Sequence, residues 1–178
     1  MKHKRFFIAA VSSAILLWSL SSAAKTVVEM KDAQGNSVGT ITLSESGTGA
    51  KGTAVGLDLD LHGLPPGTHA IHFHQTAKCD PPDFKSAGPH FNPDGKKHGL
   101  QNPEGHHAGD MFNFSVTQQG IAKLKLTDTD VVLGDGTNRH SLFSNGGTAI
   151  VIHADPDDMK TDPAGNSGPR IACGIVSK

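Results

Sequence analysis

Between positions 55 and 61 apolar and polar residues alternate: Val55, Leu57, Leu59 and Leu61 fall on one parity, Asp58 and Asp60 on the other. A period of two sends one set toward a core and the other toward water, which predicts a half-buried β-strand. The same reading predicts strands over 26–30, 37–43, 68–75, 111–117, 121–126, 148–153 and 170–176. Gln34-Gly35-Asn36, between the first two of these, is a hairpin signal. Eight short strands with no convincing helix predict an all-β fold, an antiparallel β-sandwich or barrel. Two connections, 76–110 and 154–169, are unusually long for segments without structure of their own, so each is expected to be functional or pinned.

The opening of the chain does not fit this pattern. Lys2, Lys4 and Arg5 precede an apolar stretch from Phe6 to Leu20, which ends in Ser21-Ser22-Ala23-Ala24. A basic, then apolar, then small-residue order is that of a secretory signal peptide, so residues 1–24 are expected to be removed after Ala23 or Ala24. A retained membrane anchor is the alternative, but Ser12, Ser13 and Ser19 interrupt a run shorter than the ~20 residues a span prefers. The remainder, 25–178, suffices for one domain. Formal charge is −1 with His neutral, and losing three cations with the leader makes the chain more acidic. Neither nucleic acid nor, after signal removal, a membrane is expected as partner. Export to the periplasm or the outside medium places Cys79 and Cys173, the only cysteines, where thiols oxidise, so they are expected to pair. Two free buried thiols are the alternative.

Histidines change the picture further. His72 and His74 share one face of a predicted strand while Ile71 and Phe73 take the other, which presents two ring nitrogens side by side. The long loop then offers His90, His98, His107 and Asp110. Three imidazoles and one carboxylate satisfy zinc in a closed tetrahedral shell. His153 follows Ala149 and Val151 on one strand face. With His72, His74 and a loop histidine it completes a four-nitrogen set suited to copper.

In order and spacing, the segments Thr68-His-Ala-Ile-His-Phe-His74, Gly88-Pro-His-Phe-Asn-Pro93, Lys97-His-Gly99, His107-Ala-Gly-Asp110, Ala149-Ile-Val-Ile-His153 and Gly168-Pro-Arg-Ile-Ala-Cys-Gly174 resemble the copper-zinc superoxide dismutase family, in its bacterial, secreted type. The resemblance implies a Greek-key β-sandwich with one copper and one zinc ion. Copper would be bound by His72, His74, His90 and His153, and zinc by His90, His98, His107 and Asp110, with His90 bridging. The family's His-x-x-Asp spacing selects His107 over His106, and His62, His69, His106 and His140 match no ligand position. Asp157 matches the carboxylate that accepts hydrogen bonds from one ligand of each metal, with Asp158 as its competitor. Arg170 matches the cation at its channel mouth, and a Cys79–Cys173 disulfide would tie the metal-loop region to the strand that carries it.

The implied reaction converts two superoxide anions into dioxygen and hydrogen peroxide by alternate reduction and oxidation of copper, with His90 handling a proton and Arg170 attracting the anion. The loop between His153 and Arg170 is shorter than in eukaryotic members, and Lys160 is its only cation before Arg170. Dimer contacts vary within the family, which leaves monomer and homodimer both open. Two other readings remain: a secreted carrier of copper or zinc on the same scaffold, and a structural sandwich with incidental histidines.

Overall fold

A computed structural model describes residues 25–46 and 54–178. The expected leader, 1–24, therefore lies outside the described residues. The alternation at 55–61 becomes a strand whose leucines are buried and whose aspartates are exposed. In chain order the strands are β1 (Lys25–Asp32), β2 (Ser37–Ser46), β3 (Ala54–Leu61), β4 (Gly67–His69), β5 (Ile71–His74), β6 (Phe114–Val116), β7 (Ala122–Asp128), β8 (Thr148–His153) and β9 (Arg170–Val176).

Seven of them form one antiparallel sheet in the order β5-β8-β9-β1-β2-β3-β7, and β4 pairs with β6. β7 lies at one edge while β8, next in sequence, lies beside the other. That crossing makes the topology Greek-key instead of a simple meander. The sheet curls around a core that includes Met30, Ile41, Leu43, Leu59, Phe73 and Ile152. On the outer face Asp60 faces Lys123 at 3.0 Å and Asp58 faces Lys125 at 3.6 Å, as their strand register requires. Exposed pairs of this kind contribute about 0–1 kcal/mol each.

Three details depart from the sequence pattern. The strand expected over 68–75 is split at Ala70, whose N–H donates to Asp155 and whose carbonyl accepts from His153, both at 3.0 Å. Among the described residues nine strands replace the expected eight for this reason. The strand expected over 111–117 shortens to β6, because Asn113 turns its side chain to the backbone of Asp157. A third long connection, 129–147, joins β7 to β8 beside the two expected ones. Its apolar residues Val131, Leu133 and Leu142 enter the core, and Ser141 bonds the Leu133 carbonyl, so it too is pinned.

β5 positions the site. It is an edge strand buried on both faces, with Ile71 and Phe73 in the core and His72 and His74 pointing the other way. The loop that follows caps its open edge. Phe91 N–H donates to Phe73 O at 2.8 Å, Phe73 N–H to Gly109 O at 3.0 Å, and Gln75 N–H to Pro89 O at 3.0 Å. Gly109 is required here, since a Cβ would lie 2.5 Å from the Phe73 carbonyl oxygen. The chain stretches on either side of Gly109 and Phe91 thereby deliver His90 and Asp110 to the histidine face of β5. Among the described residues no helix is long and apolar enough to cross a membrane.

Candidate metal centre

Two groups of buried side chains meet at His90. One is His72, His74, His90 and His153; the other is His90, His98, His107 and Asp110; within each group the donor atoms lie within 4.8 Å of one another. The structure thus brings together all seven residues that the sequence singled out. His72 and His74 come from β5, His153 from the end of β8, and the rest from the loop after β5.

In the first group each ring is held from behind. Nε2–H of His72 donates to the Asp157 carboxylate at 2.8 Å, and Nδ1–H of His74 donates to the Gly88 carbonyl at 2.8 Å. Nδ1–H of His153 faces the Gly168 carbonyl at 3.2 Å. A neutral imidazole that donates through one nitrogen carries a lone pair on the other. The remaining nitrogens, Nδ1 of His72 and Nε2 of His74, His90 and His153, are buried without a hydrogen-bond partner. Burial, aided by the neighbouring His90, holds the pKa of His72 down to about 3. Burial likewise holds His153 down to about 4 and His74 well below the usual range. Neutral rings with converging lone pairs repel one another and forgo water, a cost of about 1–3 kcal/mol for each unpaired group. A soft or borderline cation offsets that cost, and four imidazole nitrogens suit copper.

The second group is arranged around a carboxylate. Oδ1 of Asp110 lies 2.9 Å from Nδ1 of His90, 3.0 Å from Nδ1 of His98 and 3.4 Å from Nδ1 of His107. Its Oδ2 accepts from the N–H of Gly99 at 2.9 Å and of His107 at 3.1 Å, which fixes the carboxylate plane. Burial opposes ionisation of Asp110, but the nearby His107 ring and the bonds from His90 and His98 outweigh it and hold the carboxyl far below its ordinary range. Three imidazoles and a carboxylate form a donor set that zinc accepts with no open position.

Asp157 links the groups. Besides His72 it accepts from Nε2 of His98 at 3.0 Å, and Met159 N–H donates to it at 2.6 Å. Against the pull of burial on His98, the bonds to Asp110 and Asp157 raise its pKa to about 9. Gly165 permits this approach: its φ is +61°, and a Cβ there would fall on the Asp157 carboxylate. Asp158, the competitor, accepts instead from Lys160, Thr161 and Asn166 within its own loop.

The other histidines among the described residues stand apart. His62 is exposed. His106 contacts Asp130 at 3.1 Å, His69 lies between the carbonyls of His153 and Pro65, and His140 contacts the Asp130 carbonyl. Arg170 leads β9, and its guanidinium donates to the carbonyls of Phe84 at 2.7 Å and Gly88 at 2.8 Å. It borders a surface depression that His153, Thr161 and Ser167 also line. Lys160 is exposed on the same loop. Cys79 and Cys173 form a disulfide, with Cα atoms 5.7 Å apart, which ties the start of the long loop to β9.

Sequence reasoning missed the supports supplied by backbone carbonyls, at Phe84 and Gly88, because carbonyls leave no trace in residue type. It also missed Asn113 and Ser167. A polar residue next to a ligand-bearing segment was the only available signal for either.

Comparison with known proteins agrees with the site. The family model described as copper/zinc superoxide dismutase matches residues 37–176. A superoxide dismutase [Cu-Zn] of Aquifex aeolicus is 45% identical over 168 residues, covering 94% of this chain and 96% of that one. The corresponding protein of Caulobacter vibrioides is 40% identical over 148 residues, covering 83% and 82%. Among solved structures, a superoxide dismutase-like protein from Bacillus subtilis superposes with a TM-score of 0.76 at 35% identity, covering 85% of this chain and 99% of that one. The chain therefore belongs to the copper/zinc superoxide dismutase family, as an oxidoreductase that acts on superoxide with copper and zinc as its metals.

Proposed function

We propose that copper is held by Nδ1 of His72 and Nε2 of His74, His90 and His153, and zinc by Nδ1 of His90, His98 and His107 with Asp110. Four buried ring nitrogens without a hydrogen-bond partner, within 4.8 Å of one another, carry this reading. His90 belongs to both groups and has a different nitrogen available to each. When bound, copper supplies the one-electron change that takes two superoxide anions and two protons to dioxygen and hydrogen peroxide, while zinc has no redox chemistry and organises the ligands.

The chain's own residues perform the rest. Nε2 of His90 would hold a proton for delivery to the forming peroxide only while that nitrogen is not bound to copper, and the zinc-side contacts at Nδ1 would keep the ring in place. Arg170 attracts the anion and orients it. Its bonds to Phe84 and Gly88 leave the guanidinium little freedom to swing. Gly88 O also supports His74, so the anion-binding group and a copper-side ring share one anchor. Lys160 adds positive charge on the adjacent loop.

The working compartment is extracytoplasmic, periplasmic or secreted. The disulfide of Cys79 with Cys173 and the basic-apolar-small order over 1–24 support this, with 25–178 as the exported metal-binding domain. Metal content and turnover measured on one preparation test the proposal. One copper and one zinc per chain with rapid dismutation are expected. Bound metal without turnover would indicate a carrier, and no stoichiometric metal a structural sandwich.

A further inference from the structure

The copper-side rings differ in how they are held from behind. His72 has a carboxylate at 2.8 Å and His74 a carbonyl at 2.8 Å. Nδ1 of His153 has two longer contacts, to the Gly168 carbonyl at 3.2 Å and to the hydroxyl of Ser167 at 3.1 Å. Ser167 is 2% exposed, so water does not compete for that hydroxyl. Its proton goes to the Ala164 carbonyl at 2.8 Å, which leaves an oxygen lone pair for the Nδ1–H of His153. Its backbone is fixed as well, since the Ser167 carbonyl accepts from Asp155 N–H at 3.0 Å. A continuous chain of donors results, from His153 Nδ1–H through Ser167 Oγ–H to the carbonyl of Ala164. Ala164 and Ser167 both line the depression beside Arg170.

We propose that Ser167 is a positioning residue for copper, acting through His153: its hydroxyl fixes the tautomer and tilt that point Nε2 of His153 at the nitrogens of His72, His74 and His90. The inference rests on the ligand assignment proposed above. Among the described residues His153 is the copper-side ring with a hydroxyl behind it, and its Nδ1–H is shared between that hydroxyl at 3.1 Å and the Gly168 carbonyl at 3.2 Å. The Ser167 hydroxyl is therefore one of two contacts that hold that ring from behind, and of the two it is the one supplied by a side chain. A hydroxyl that served only to close the turn at Ala164 would lower fold stability when removed but leave the copper environment unchanged.

The test compares the parent protein, Ser167→Ala and Ser167→Thr, each loaded with copper and zinc. Copper affinity is measured by chelator competition, zinc content by elemental analysis, and the copper environment by electron paramagnetic resonance. Ser167→Ala should bind copper about ten-fold more weakly, as losing a partner behind a metal-bound histidine generally does, with a shifted spectrum and zinc retained. Ser167→Thr, which keeps the hydroxyl, should return both readouts toward the parent. Affinity and spectrum of Ser167→Ala equal to the parent's would overturn the proposal. So would an Ala-like spectrum in a folded Ser167→Thr. A parent that shows no nitrogen-coordinated copper would instead sink the ligand assignment itself, so the two failures are distinguishable.

Discussion

Asp157 accepts a hydrogen bond from His72 at 2.8 Å between side chains that water does not reach. Through its other oxygen the same carboxylate holds His98, so one residue orients a ring in each metal group. Replacing it by Asn leaves the volume but puts an NH₂ where one histidine needs an acceptor. Asp157→Asn is expected to weaken copper and zinc retention by roughly 10- to 100-fold before it unfolds the chain. Chelator competition together with a thermal melt measures both. Unaltered metal affinity would remove Asp157 from this role.

Arg170 gives a second expectation. Arg170→Glu reverses the charge beside the depression, and electrostatic guidance of small ions is worth about ten-fold or more in association rate. Metal content should stay intact while turnover falls at least ten-fold and loses its usual decline with salt. A variant with parental turnover and parental salt dependence would exclude Arg170 from substrate guidance.

The disulfide gives a third. Cys79 and Cys173 close a loop of 94 residues, which in the chain-entropy account constrains the unfolded state by roughly 4–5 kcal/mol. Reduction also frees the segment that carries Phe84 and Gly88, the anchors of Arg170. Mild reduction is thus expected to lower both denaturant midpoint and turnover. Full activity in the reduced, still-folded protein would separate the disulfide from the site.

Asp128 sets a pH dependence outside the metal groups. Burial pushes its carboxyl from the ordinary 3.8 up to about 8, and Oδ2 has no hydrogen-bond partner. Between those two values the folded chain binds a proton that the unfolded chain releases. Stability therefore falls as pH rises through that window. In metal-free protein Asp128→Asn should flatten the fall between about pH 5 and about pH 8, a difference on the order of a few kcal/mol. Urea unfolding at both ends of the range checks it. Equal slopes for parent and variant would contradict the buried-acid account.

The period-two pattern made β3 and the paired faces of His72 and His74 legible, because alternation alone fixes which way a strand's side chains point. The choice of His107 over His106 came from the resemblance, through the family's His-x-x-Asp spacing, and not from alternation. Asp157 and Asp158 are chemically identical neighbours; the resemblance favoured Asp157, and the turn that spends Asp158 on Lys160, Thr161 and Asn166 is a local contact that residue type does not carry. The connection over 129–147 falls in the gap left between the strands expected over 121–126 and 148–153, but its pinning through buried Val131, Leu133 and Leu142 was not legible, because those residues follow no strand or helix period. The break at Ala70 depends on partners more than 80 residues away, which no local pattern carries.

The central claim is that the ring of His90 lies between two different ions. Crystals of the copper- and zinc-loaded protein, with anomalous maps recorded across both absorption edges, test it directly. The account predicts a copper peak at Nε2 of His90, among His72, His74 and His153, and a zinc peak at Nδ1, among His98, His107 and Asp110. A single peak, or a His90 ring that touches only one of the two ions, would contradict it.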